Sequence, residues 1–134
     1  MPKERIVPVR SDLDIVTARV EGRELAKELG FGVIDQARIA TAISELTRNI
    51  VQYAEKGEAV MRPLEIGGRV GIEIVCEDEG PGIPDIDLAM QDGYSTSKSL
   101  GMGMSGAKRL MDEFEVESDI GIGTTVIIRK WLRQ

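Results

Sequence analysis

The chain contains no histidine. That absence excludes Ser-His nucleophile pairs, histidine metal sites and any phosphoryl group carried on an imidazole. A single cysteine, Cys76, rules out an internal disulfide; within GIEIVCED it reads as a buried strand residue rather than a reactive thiol. No apolar run approaches the roughly 18 residues of a membrane span. The opening MPKERIVPVR lacks the apolar stretch of a signal peptide, so the expected compartment is the cytoplasm. Positive charge is in deficit: 17 Lys and Arg against 23 Asp and Glu give a net charge of -6. That balance argues against nucleic acid as a partner.

What is present fits one domain over residues 1–134, with 42% hydrophobic and 30% charged residues and no repeat or long linker. RIVPV (5–9) predicts a short strand, placed at a sheet edge by Pro8. Ser11 or Asp12 caps a helix that Gly30 ends, with Ile15, Val16, Val20, Leu25, Ala26 and Leu29 as its expected core stripe. A second helix is predicted over 35–55, its apolar face set by Ile39, Ile43, Leu46, Ile50 and Tyr53. Strands at 58–66 and 69–77 join through Gly67-Gly68 as a hairpin. Residues 78–101 read as a long loop, the kind that is functional or mobile in a compact domain. A helix near 104–114, a strand near 115–120, a turn at Gly121-Ile122-Gly123 and a strand at 124–131 follow. The order predicts an α+β two-layer sandwich, a mixed and mostly antiparallel sheet with helices on one face.

The stretch LGMGMSGA places glycines at 101, 103 and 106, literally G-x-G-x-x-G. A dinucleotide-binding fingerprint must follow a strand and open a βαβ unit, whereas here the polar DGYSTSKSL precedes it. A Walker loop needs Lys and then Ser or Thr after the last glycine, but Ala107 and Lys108 follow Gly106. Two readings remain on position alone: backbone N–H groups meeting an anion at a helix start, or small residues used for packing.

Three other segments bear on that choice. In ISELTRNIVQYA, Glu45 and Asn49 are four apart, so they project about 40° apart on one side of a helix. They flank the apolar stripe; a carboxylate there can accept a proton and an amide oxygen can ligate a hard cation. In VCEDEGPGIPD a strand ends at Asp78, which can accept from an exocyclic amine while Gly80 and Gly82 let a flat base approach the backbone. In GIGTTV a hairpin turn carries threonine hydroxyls.

Taken in order, E-L-x-x-N, D-E-G-P-G-I, G-M-G-M and G-I-G-T-T resemble the four nucleotide-binding boxes of the GHKL ATP-binding superfamily, whose α/β sandwich is the Bergerat fold. Within it the chain is similar to small bacterial serine/threonine kinases of anti-sigma-factor type, most of all to the stressosome switch kinases. The likeness extends over nearly the whole chain through stretches such as DQARIATAISELTRNI and GAKRLMDEFEVES. The resemblance implies ATP and Mg²⁺ as cofactors and assigns roles to matching positions. Glu45 is the implied general base and Asn49 the implied Mg²⁺ ligand. Asp78 is implied to recognise the adenine amine, with Gly80, Gly82 and Ile83 shaping the pocket and Thr124 supporting the base. Residues 93–101 form the implied ATP lid; within it the charge of Lys98, rather than the resemblance, suggests a contact with the terminal phosphate. Gly101, Met102, Gly103 and Met104 are implied to meet the phosphates. Gly106 is left as an incidental small residue.

The implied activity is phosphorylation of a STAS-domain scaffold protein in a partner-switching pathway, followed by activation of a PP2C-type phosphatase. The alternative is a nucleotide-binding anti-sigma factor whose output is sequestration of a sigma factor. A regulator that has lost catalysis is disfavoured by the presence of both Glu45 and Asn49.

Overall fold

The computed structural model describes residues 1–54, 56–80 and 104–133. Its elements run β1 (Arg5–Val9), α1 (Asp12–Leu29), α2 (Val33–Tyr53), β2 (Gly57–Ile66), β3 (Arg69–Asp78), α3 (Met104–Leu110), β4 (Glu113–Asp119) and β5 (Gly123–Trp131). Each boundary has a local cause. At the start of α1 the Asp14 carboxylate accepts from the N–H groups of Arg10 and Ser11, at 2.8 and 3.2 Å. Two donors with no partner inside the helix are thereby satisfied. At its end Gly30 takes the left-handed conformation (φ 101°). The N–H groups of Gly30 and Phe31 then close onto the carbonyls of Lys27 and Ala26.

The sheet runs β1-β2-β3-β5-β4, with β1 on the edge as Pro8 requires. Every described pairing is antiparallel. The sheet expected to be mixed is therefore uniform among the described strands. Two helices, not one, separate β1 from β2, so the chain reverses three times and returns in the opposite sense. Gly67 and Gly68 both hold positive φ, 58° and 81°, as a two-residue hairpin loop demands.

One face of the sheet carries the helices, and the core lies between the layers: Val9, Met61, Ile72, Ile74 and Ile128 from strands, Leu25, Ile39, Ile43 and Leu46 from helices. The expected core stripe of α1 needs correction. Ile15, Leu25, Ala26 and Leu29 are buried as predicted, joined by Ala18 and Gly22. Val16 and Val20 instead remain 41% and 45% exposed. Close approach of the helices selects the small face. A Cβ on Gly22 would fall 2.1 Å from Ile43 Cδ1 and 3.2 Å from Met61 Sδ. The helix turns its smallest residues inward, and the valines follow the geometry to the outside.

The other face of the sheet carries a row of alternating charge, Arg62, Glu73, Arg129 and Glu113, set side by side by the strand register. The Glu73 side chain is only 4% exposed. It accepts from Arg62 Nε at 2.6 Å and Arg129 Nε at 2.7 Å, one on each carboxylate oxygen. A buried charge is tolerated when both oxygens are satisfied in this way. The hydrogen bond to Glu73 is also the main reason the Arg129 guanidinium is pushed up. Beyond it, the Trp131 indole N–H donates to Glu113, and that bond is the main cause holding the Glu113 carboxyl below its usual range.

Cys76 is buried in β3, as the sequence predicts. Burial first, then the charge of Asp78, pushes its thiol up to about 12. Among the described residues no helix is long and apolar enough to cross a membrane.

Two predictions follow from this packing. Ile43→Ala should lower the unfolding free energy by about 2–5 kcal/mol, the usual cost of a cavity in a core. Val16→Thr should change it by less than about 0.5 kcal/mol, both measured by urea denaturation. The Cys76 thiol should stay inert to an aromatic disulfide reagent at pH 8 in the folded protein and react fully once urea unfolds it. Rapid labelling of the native protein would contradict its burial.

Candidate nucleotide site

Three of the sequence-predicted residues, Asp78, Gly80 and Thr124, come together where β3 and β5 meet beside the end of α2. Asp78 closes β3. Its Oδ1 accepts from Gly80 N–H at 2.9 Å, a turn local to the chain. The same oxygen accepts from Thr124 N–H at 3.1 Å, across 46 positions of sequence. Two backbone donors thus hold one oxygen, and no described residue takes Oδ2. A carboxylate anchored by neutral amides keeps its charge available, unlike Glu73 with an arginine on each oxygen.

Backbone proximity at this corner leaves no space for side chains. A Cβ on Gly123, where φ is 152°, would fall 2.0 Å from the Asp78 carbonyl oxygen. One on Gly80 would fall 2.6 Å from Ala54 Cβ, at the C-terminal cap of α2. Gly80 therefore ties the turn after β3 to the end of the helix that carries Glu45 and Asn49. Gly57 is equally confined, its virtual Cβ 2.3 Å from Glu77 O and 3.1 Å from Asp78 Cβ.

On α2, Asn49 presents the one buried side-chain polar atom without a partner among the described residues, its Nδ2. Such a group costs about 1–3 kcal/mol unless something satisfies it. Glu45, one turn earlier, is 34% exposed and pairs with Arg48 Nη1 at 3.3 Å. Arg48 was not singled out from sequence, although its spacing of three from Glu45 is the usual one for a helical ion pair. Met104 opens α3 with its side chain buried in the core. The predicted residues Gly82, Ile83, Lys98, Gly101, Met102 and Gly103, and the lid at 93–101, lie outside the described residues.

Thr124 is buried and belongs to the helix-covered face. Its Oγ1 lies 2.9 Å from Ser118 Oγ, and Ser118 in turn donates to Gly123 O at 3.3 Å. Sequence reasoning missed both Ser118 and the confinement of Gly123. It set the hairpin turn at 121–123, whereas Asp119 pairs with Gly123 and Ser118 with Thr124. Gly121, at φ 81°, makes the turn, and Gly123 is already strand. The alternating pattern of VESD did signal that Ser118 faces inward with Val116 and Phe114.

A cleft of about 400 Å³ opens beside Asp78, lined by Pro8, Arg10, Lys56, Gly57, Glu58, Glu77 and Glu79. Its walls carry both signs of charge, with Lys56 paired to Glu79 at 3.1 Å. Most of its lining side chains are charged, which makes the Asp78–Thr124 corner the better candidate for a flat base.

The arrangement separates two kinds of glycine. Gly123→Ala should destabilise the fold by about 1–3 kcal/mol and weaken nucleotide binding, because its methyl meets backbone. A Cβ on Gly106 meets nothing within 4 Å. Gly106→Ala should therefore raise the melting temperature slightly, in line with a gain of about 0.5–1 kcal/mol for a helix interior. Thermal unfolding of the two variants checks both signs.

Residues 34–134 match the family model described as histidine kinase-, DNA gyrase B-, and HSP90-like ATPase. The serine/threonine-protein kinase RsbT of Bacillus subtilis (strain 168) is 53% identical over 133 residues, 99% of this chain and 100% of that protein. The anti-sigma F factor of Caldanaerobacter subterraneus subsp. tengcongensis is 34% identical over 86% of this chain and 83% of its own length. That of Clostridium kluyveri is 36% identical over 84% and 82%. On fold, on motif order and on these likenesses, the chain belongs to the histidine kinase-, DNA gyrase B- and HSP90-like ATPase family.

Proposed function

We propose that this chain is an ATP- and Mg²⁺-dependent serine/threonine-protein kinase acting on a STAS-domain scaffold protein in a bacterial cytoplasm. The observation that carries the reading is Asp78, whose Oδ1 is held by two backbone N–H groups while Oδ2 faces no described partner. An oxygen presented in that way suits the exocyclic amine of adenine. Support for the kinase activity comes from full-length likeness to RsbT.

Phosphoryl transfer asks a protein for positioning and charge stabilisation more than for covalent chemistry. Bound together, ATP and Mg²⁺ would supply the transferable group and positive charge to offset its phosphates. Asn49 fits that role: its buried Nδ2 has no partner among the described residues, so a phosphate oxygen accepting from it relieves a cost the fold otherwise bears, and its Oδ1 is the kind of oxygen a hard cation takes. No cluster of three or more acidic, cysteine or histidine side chains among the described residues could hold a metal.

Glu45 is the general base of this proposal. As the substrate hydroxyl oxygen bonds to the γ-phosphorus and the bond to the β–γ bridging oxygen breaks, the hydroxyl proton passes to the Glu45 carboxylate. Arg48 steadies that carboxylate before substrate arrives. Gly82, Ile83, Gly101, Met102, Gly103 and Met104 complete the nucleotide contacts on the strength of the resemblance, and Lys98 on the strength of its charge. In this proposal the unphosphorylated scaffold sequesters the kinase, and phosphorylation releases it to activate a PP2C-type phosphatase.

Likeness to anti-sigma F factors supports a second reading, in which a nucleotide-dependent complex with a sigma factor is the main output. Incubation with γ-labelled ATP and a STAS-domain partner should yield phosphoserine or phosphothreonine. Glu45→Ala and Asn49→Ala should each reduce transfer by about 100-fold or more. Full transfer by both folded variants would overturn the assigned roles. Capture of a sigma factor in place of the STAS protein would favour the second reading.

A further inference from the structure

Glu45 and Arg48 are the only charged side chains of α2 between Ile39 and Tyr53. At roughly 100° per residue, Arg48 stands about 60° from Glu45 on one side and Asn49 about 40° from it on the other. The three differ in depth. Asn49 carries a buried Nδ2, whereas the Glu45 and Arg48 side chains are 34% and 44% exposed. The order Asn49, Glu45, Arg48 therefore runs from the interior out to solvent. Arg48 Nη1 donates to Glu45 Oε1 at 3.3 Å, and among the described residues that is its only partner. Its Nε and Nη2 are left uncommitted there, and so is Glu45 Oε2. Elsewhere in the fold an arginine already bridges carboxylates of two different strands: Arg129 donates from Nε to Glu73 and from Nη1 to Glu113. Arg48 is the same planar fork with one prong engaged.

We propose that Arg48 is a specificity residue for the protein acceptor, bridging Glu45 to an Asp or Glu side chain that lies beside the acceptor hydroxyl. The inference rests on the reading of Glu45 as the general base for transfer to a serine or threonine. With the nucleotide phosphates toward Asn49, the acceptor comes to Glu45 from its exposed side, where Arg48 stands. An acceptor carboxylate brought there alone would be repelled by Glu45. With the guanidinium between them both carboxylates are paired, and the free prong of Arg48 fixes how the acceptor sits. Docking of the acceptor excludes water, which strengthens a pair that is weak while exposed. A basic segment would instead meet the Arg48 charge, so the favoured occupant is acidic. Arg48 acting only to steady Glu45 would alter the rate of the bound complex. Capture of the acceptor alters how much acceptor is needed to reach that rate.

Steady-state transfer from ATP to a STAS-domain acceptor, with the phosphorylated hydroxyl mapped by mass spectrometry, provides the test. Each Asp or Glu flanking that hydroxyl is replaced by its amide in turn. At least one replacement should raise KM for the acceptor by about tenfold, with kcat within about twofold of the parent. Arg48→Gln should raise KM for the unchanged acceptor by a similar factor, and combining it with that acceptor variant should add nothing further. Arg48→Lys should recover part of the loss, since it keeps the charge but not the fork. Arg38→Gln removes the same charge from an exposed side chain of α2, about two turns from Glu45, and should leave KM unchanged. The proposal is overturned by a fall in kcat alone for Arg48→Gln, by losses that multiply in the combination, or by an equal effect of Arg38→Gln. It is overturned as well if no amide replacement on the acceptor has an effect. If the parent chain transfers nothing, or Glu45→Ala transfers at the full rate, the reading of Glu45 falls and the inference with it. If transfer depends on Glu45 while Arg48→Gln behaves as the parent, only the role of Arg48 falls.

Discussion

The bond from Thr124 N–H to Asp78 Oδ1 is the constraint on which the rest of this corner depends. It joins residues 46 positions apart, so it exists only once β5 has been laid against β3. The chain delivers β5 after β4, yet β5 takes the inner place and β4 the edge. Gly123 makes the approach possible, because any side chain there collides with the Asp78 carbonyl.

Two carboxylates on the same strand show how surroundings divide structural from chemical roles. Glu73 and Asp78 both belong to β3, five residues apart, and so point to opposite faces. Glu73 is enclosed between two arginines, each oxygen committed, and it fastens the open face of the sheet. Asp78 is held on one oxygen by uncharged amides, which orient it without neutralising it. The helix layer follows the same division. Small residues at Ala18 and Gly22 draw α1 onto α2, while the far end of α2 carries the unpaired Asn49 amide.

Much of the fold was legible in local signals. Gly30, Gly67 and Gly68 stop or turn the chain where their positive φ is needed, and Pro8 marks the edge strand. The stripe Ile39, Ile43, Leu46 and Ile50 placed the inner face of α2 correctly, and all four are buried. The same reasoning failed on α1. Its inward face is set by how closely two helices approach, and periodicity of large residues carries no information about that distance. The turn before β5 was misplaced by one residue for a related reason. A glycine that is needed for a tertiary contact, Gly123, looks in sequence like a glycine needed for a turn.

For the candidate site, the sequence by itself determined which groups are available: a carboxylate at a strand end, a carboxylate and an amide four apart on a helix, and threonines after a glycine turn. It also determined the family, because four short motifs in fixed order constrain far more than any one of them. Only the tertiary structure decided which oxygen of Asp78 is held and which is left, and that Thr124 supplies an anchoring amide. Hydrogen-bond direction depends on where every neighbouring donor and acceptor lies. Those neighbours are brought together by sheet order and register, which are properties of the packed chain and of no single segment.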